Sequence, residues 1–103
     1  DEGLLTKATT DGQWLREHVK AWKHPLIHEV RGKGLMGGIE LTHSAKPVVL
    51  ALLHQGILAN ATAENVIRLV PPLNTSRETL RTVLEALQAA LHSHWQTLTE
   101  VEA

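Results

Sequence analysis

Arg68 is the one charge inside an otherwise apolar run, Val66-Ile67-Arg68-Leu69-Val70. A guanidinium among such neighbours needs an anionic partner or an opening to water. Its planar fork matches a carboxylate through two parallel hydrogen bonds, so one use is a carboxylate clamp. The other is an arginine on an edge strand facing solvent, and spacing alone favours that use. A second candidate is Gly32-Lys33-Gly34-Leu35-Met36-Gly37, which has the letters G-x-G-x-x-G. In a dinucleotide-binding fold those letters open a helix whose N-terminus holds a pyrophosphate. Here Gly38-Ile39-Glu40-Leu41 follows, an alternating strand pattern, and no acidic residue about 20 positions on closes a βαβ unit. The glycines therefore read as a structural turn. Lys33 lacks the spacing of a phosphate-loop lysine and reads as solvated.

Seven histidines raise the question of a metal. His18, His24, His28, His43 and His54 show no paired zinc-helix spacing, and His92 and His94 lie two apart on a helix and so point to different faces. Scattered surface histidines are expected, with no metal site. The absence of cysteine excludes a thiol nucleophile, a thiolate metal site and a disulfide framework, which suits a cytoplasmic protein. No nucleophile-elbow context singles out a serine. Ten Lys and Arg against eleven Asp and Glu give a net charge of -1 without a basic block, so nucleic acid is not expected as a partner. The longest apolar run, Val48 to Leu53, is far short of the roughly 20 residues that span a bilayer, and no membrane association is expected.

The elements that must carry these residues follow from hydrophobic periodicity. At 103 residues, 43% hydrophobic and 20% charged, the chain suits one folded domain. Leu4, Ala8, Leu15, Val19 and Trp22 share a helical face, predicting a helix over about residues 2–22. Thr9-Thr10-Asp11-Gly12 weakens its middle, where a kink or break is expected. After Pro25, Leu26 to Val30 and Leu35 to Leu41 read as two strands of a hairpin joined by the glycine-rich turn. Pro47 and Gly56 bracket a short helix over Val48 to Leu53. Ile57–Asn60 and Val66–Val70 read as two further strands around a polar turn, Ala61 to Asn65. Thr75-Ser76-Arg77-Glu78 fits a capping box with Thr75 as the cap. The helix it opens carries Leu80, Val83, Leu84, Leu87, Leu91, Trp95 and Leu98 along one stripe, with fraying expected from Thr99 onward. The expected fold is α/β of the α+β kind. Its order is α-β-β-α-β-β-α, with helices packed on one face of a small, mostly antiparallel sheet.

Three stretches in this order resemble the class-III aminotransferases. They are Val30-Arg31-Gly32-Lys33-Gly34-Leu35-Met36 with Ile39-Glu40-Leu41, then Gly56-Ile57-Leu58-Ala59-Asn60, then Asn65-Val66-Ile67-Arg68-Leu69-Val70-Pro71-Pro72-Leu73. The resemblance covers nearly all of the chain and fades after about Ala90. Within the family the wording is most similar to the acetylornithine aminotransferases, which exchange an amino group between N-acetylornithine and 2-oxoglutarate in arginine biosynthesis. Ornithine and other omega-aminotransferases are near alternatives. Gly37 stands where the family often has a larger residue, and Leu69-Val70 varies a commoner aromatic version.

The resemblance implies that residues 1–103 are the C-terminal small domain of a fold-type-I, pyridoxal-phosphate-dependent enzyme. Its large, cofactor-binding domain would lie outside this chain. Asp1-Glu2, with no initiator Met, fits a cut inside a longer protein. By the same resemblance the Schiff-base lysine, the aspartate facing the pyridine nitrogen and the phosphate-binding residues belong to the large domain. Lys7, Lys20, Lys23, Lys33 and Lys46 match no such motif, so no catalytic residue and no bound pyridoxal phosphate is expected in this chain. Arg68 is the one site residue carried over, as the ligand of the substrate α-carboxylate. The implied partners are the large domain of the same enzyme and, for the parent, a second subunit of a homodimer. The competing reading is a free-standing α/β binding or interaction module with no catalytic role.

Overall fold

Among the described residues, seven elements form in the expected order: α1 (Glu2–Ala21), β1 (Ile27–Lys33), β2 (Met36–Leu41), α2 (Lys46–His54), β3 (Ala59–Ala63), β4 (Val66–Leu69) and α3 (Arg77–Glu102). The computed structural model describes residues 2–33, 36–57, 59–69 and 76–102. The strands make one antiparallel sheet in the order β1-β2-β4-β3. Alternation along the strands sends Val30, Ile39, Leu41, Ile67 and Leu69 into the core, where they meet Leu15 and Val19 of α1, Val48 and Leu52 of α2 and Leu84 and Leu87 of α3. Helices thus bury one face of the sheet. No described helix is long and apolar enough to cross a membrane.

Helix α1 does not break in its weak middle, and it runs continuously through Thr9 to Gly12. Tertiary contacts override the weak local propensity. Gly12 lies in the seam that α1 forms with Val30, Ile39 and Leu69 of the sheet. Asp11 is only 4% exposed, and its carboxylate accepts from Lys7 one turn back and from Arg77 Nη2, at the start of α3, at 2.9 Å. The Arg77 guanidinium also sits 4.5 Å from the centre of the Trp14 ring. This ion triad ties α1 to α3 across 66 positions of sequence.

Helix ends follow their local chemistry. Gly56, at φ 79°, sits just beyond α2, and the Gly56 and Ile57 N–H groups donate to the carbonyls of Leu53 and Leu52, both at 3.0 Å. These are the two bonds that close a helix on a left-handed glycine. At α3 the cap is Ser76, one residue later than expected. Its Oγ accepts from the Thr79 N–H at 3.1 Å and donates to Thr79 Oγ1 at 2.9 Å, while Thr75 lies outside the described residues. The expected fraying from Thr99 is also not seen. Leu98 packs against the core cluster, Thr99 Oγ1 donates to the Trp95 carbonyl at 3.1 Å, and α3 continues to Glu102.

The β3–β4 turn is shorter than the sequence suggests. Ala61 to Ala63 belong to β3, leaving Glu64-Asn65 as the turn, with a register shift between Ala61 and Ala63. Polar and small residues read as loop by composition, but here β4 supplies their backbone partners while most of the β3 side chains stay exposed.

Among the described residues, Asp11 and His24 make stability depend on pH. The hydrogen bond from Lys7, aided by that from Arg77, holds the Asp11 carboxyl below its ordinary value despite the opposing effect of burial. Its contribution is complete above the ordinary carboxylate pKa and is lost as pH falls through the lowered folded value. Burial, and then the charge of nearby His92, lowers the pKa of His24, whose Nδ1 accepts the Leu26 N–H at 3.1 Å. A proton binds the unfolded imidazole first, so stability is complete above the ordinary imidazole pKa. It is lost as pH falls toward the lowered one. Denaturant titrations across pH should show both losses in sequence. Asp11→Asn should cost about 1–2 kcal/mol at neutral pH and flatten only the lower part of the profile. An unchanged lower limb in that variant would contradict the assignment.

Candidate functional site

The sheet face turned away from the helices is polar. Since Ile39, Leu41, Ile67 and Leu69 point into the core, Gly38, Glu40 and Arg68 must stand on the opposite face. Backbone register sets four residues in one row across all strands: Arg31 opposite Gly38, Gly38 opposite Arg68, and Arg68 opposite Asn60. The expectation of an edge strand for Arg68 is corrected, because β4 lies between β2 and β3. The expectation that its side chain is exposed holds. A central strand of a one-sided sheet offers both an apolar run and an exposed arginine, a combination that spacing along one strand does not reveal.

The sequence alone does not single out Arg31 and Glu40. Arg31 Nη2 donates to Glu40 Oε1 at 3.0 Å, and its Nη1 lies 3.9 Å from Glu29 Oε2. A Cβ added at Gly38 would lie 3.6 Å from the Arg31 carbonyl oxygen and 3.9 Å from Arg31 Cγ, so the Arg31 stem runs alongside this glycine. Opposite charges near facing positions of the hairpin are the signal that could have found the pair, once the pairing of Lys33 with Met36 fixes the register.

The same hairpin decides the glycine motif. Gly32 pairs with Gly37 and Lys33 with Met36 in antiparallel strands, so no helix opens there. Gly34 and Leu35 lie outside the described residues, as do Val70 to Leu73 of the arginine motif. The histidines are dispersed, and among the described residues no group of three or more His, Asp or Glu could hold a metal. Not all of them are surface residues, however. His24 is half-buried, and His94, also half-buried, has Nε2 3.1 Å from the Ser44 carbonyl oxygen. Among the described lysines, Lys7 is paired with buried Asp11, and Lys20, Lys23 and Lys46 are exposed. What the open face can do is present a guanidinium, flanked by a fixed ion pair, to an anion approaching from outside.

Comparison with known proteins agrees with this fold. The chain is 42% identical over 91 residues to an ornithine aminotransferase of Exiguobacterium sp., covering 88% of this chain and 23% of that protein. Its structure is similar to acetylornithine aminotransferase from Elizabethkingia anophelis, with TM-score 0.80 and 32% identity over 90% of this chain and 26% of the other. It is similar too to an ornithine aminotransferase of Toxoplasma gondii with partial occupancy of PLP at its active site, with TM-score 0.78 and 30% identity over 88% of this chain and 23% of the other. The chain thus spans about a quarter of the length of these relatives. Residues 1–91 match the family described as Aminotransferase class-III. Since that match spans most of the 103 residues and the fold is that of the solved relatives, the chain belongs to the class-III aminotransferases.

Proposed function

We propose that this chain is the C-terminal small domain of a pyridoxal-phosphate-dependent aminotransferase. Its substrates would be N-acetylornithine, or a similar omega-amino acid such as ornithine, and 2-oxoglutarate, and its place would be in arginine biosynthesis. The observation that carries the reading is Arg68, exposed at the centre of the open sheet face and sitting in the Ile-Arg-Leu sequence of the family motif. Its role is to grip the substrate α-carboxylate through two parallel hydrogen bonds. Ornithine and its N-acetyl derivative share that carboxylate, so Arg68 serves both, and the choice between them falls to residues outside this chain.

The large domain of the same polypeptide is the proposed partner, within a homodimeric cytoplasmic parent. The cofactor, bound in that domain, supplies the electron sink for amino-group transfer. This chain orients the substrate and supplies no catalytic group. The test compares the full-length enzyme with the 103-residue chain. The parent should turn over N-acetylornithine or ornithine with 2-oxoglutarate, whereas the chain alone should show no transamination with pyridoxal phosphate added. Transamination by the chain alone, or a parent inert toward both donors, would overturn the reading.

A further inference from the structure

We infer that the cleft between α1 and α3 binds a free aromatic α-amino acid. The two helices run parallel, since their contacts rise in step: Asp11 meets Arg77, Trp14 meets Arg77 and Arg81, and His24, just past α1, meets Trp95. Trp14, His18 and Trp22 follow one another at intervals of four along α1, which puts three rings on one side of that helix. Arg81, Glu85 and Gln88 face them from α3, with buried Leu84 as the floor. An open cleft of about 250 Å³ results, just below the range of about 300–1,000 Å³ for drug-sized ligands and suited to a single amino acid.

The side chains around it are unequally committed. Arg77 is held by buried Asp11 and lies 4.5 Å from the centre of the Trp14 ring. The His18 ring lies 4.3 Å from the same ring, with Nδ1 2.9 Å from the Trp14 carbonyl oxygen. These groups form a fixed wall. Arg81 meets Trp14 only loosely, its Cζ 5.9 Å from the ring centre, and among the described residues neither Arg81 nor Glu85 takes part in an ion pair. Half-buried Trp22 has no ring partner among them either. The cleft therefore presents a guanidinium and a carboxylate one helical turn apart, beside an indole surface. That is the complement of a zwitterion bearing a ring: α-carboxylate on Arg81, α-ammonium on Glu85 and ring against Trp22. A lone anion would be repelled by Glu85 and a lone cation by Arg81, so the two select a molecule that carries both charges. Since the helices cover one face of the sheet and Arg68 stands on the other, the occupant leaves the open face clear.

The experiment titrates the 103-residue chain with L-phenylalanine and follows the indole N–H resonances of its three tryptophans by NMR. The Trp22 resonance should shift saturably at one-to-one stoichiometry, while that of Trp95, outside the cleft, should stay in place. Arg81→Ala and Glu85→Gln, both at exposed positions, should each raise the dissociation constant about three- to tenfold, as suits charge-assisted contacts in partly solvated surroundings. Phenethylamine, which lacks the carboxylate, should bind more weakly than L-phenylalanine and lose nothing further in Arg81→Ala. 3-Phenylpropionate, which lacks the ammonium, should behave likewise toward Glu85→Gln. L-Alanine, without a ring, should leave Trp22 unmoved. A Trp22 resonance indifferent to L-phenylalanine, equal binding of L-phenylalanine and the two single-charge compounds, or unchanged affinity in both variants would make the cleft an ordinary seam between helices.

Discussion

Arg68→Ala in the full-length enzyme should lower kcat/KM for the amino donor and for 2-oxoglutarate together, because the two half-reactions reuse one carboxylate site. Losing one partner of a charge-assisted pair from which water is excluded costs about 2–5 kcal/mol, or about 30-fold to several thousand-fold in specificity constant. Arg68→Lys keeps the charge but not the two-pronged geometry, so it should fall between the alanine variant and the wild type. The control is an amine that lacks the α-carboxylate, whose poor turnover should hardly respond. Steady-state kinetics of the three proteins with both substrates and the amine decide the matter. Equal losses for substrate and amine would return Arg68 to a structural role.

Leu87→Ala should destabilise the domain more than Asp11→Asn or any change on the open sheet face. The Leu87 side chain is fully buried in the middle of α3, among the residues that join helix and sheet into one core. A leucine-to-alanine change at such a site removes about 2–5 kcal/mol, which for a domain of this size lowers Tm by about 10 °C or more. Leu50 on α2, 48% exposed, is the matched control, and Leu50→Ala should shift stability by less than about 0.5 kcal/mol. Chemical denaturation of the three chains measures both values. A Leu87 loss no larger than that of Leu50 would mean that the core is not packed as described.

Legibility in the sequence follows the physics of each feature. The stripe from Leu80 to Leu98 is plain because burial on one side of a helix imposes its own period on the residues. The hairpin of β1 and β2 is plain because glycines cluster where the strands turn. Arg68 stands out as a lone charge among apolar neighbours, and the family motif gives it a role. What it cannot announce is company. That β4 lies inside the sheet depends on β2 and β3 flanking it, and the Arg31–Glu40 pair depends on hairpin register. Asp11 reads as a helix breaker because its partner Arg77 is remote in sequence. The cap of α3 is displaced by one residue from its expected place because Thr75 and Ser76 carry the same chemistry, and only the Thr79 N–H chooses between them.

The register shift between Ala61 and Ala63 bears on which changes of length this protein family could accept over its history. Thr62 has no opposite residue on β4, so its loss would regularise the hairpin while leaving Arg68 paired with Asn60 and Gly38. A single-residue deletion within Val66 to Leu69 is a different event. Because side chains alternate, it would exchange the two faces of the strand past the cut, turning Arg68 toward the helices or an isoleucine toward solvent. Insertions and deletions among descendants of this gene should therefore collect around Thr62 and the Glu64-Asn65 turn, and leave the four residues of β4 at constant length.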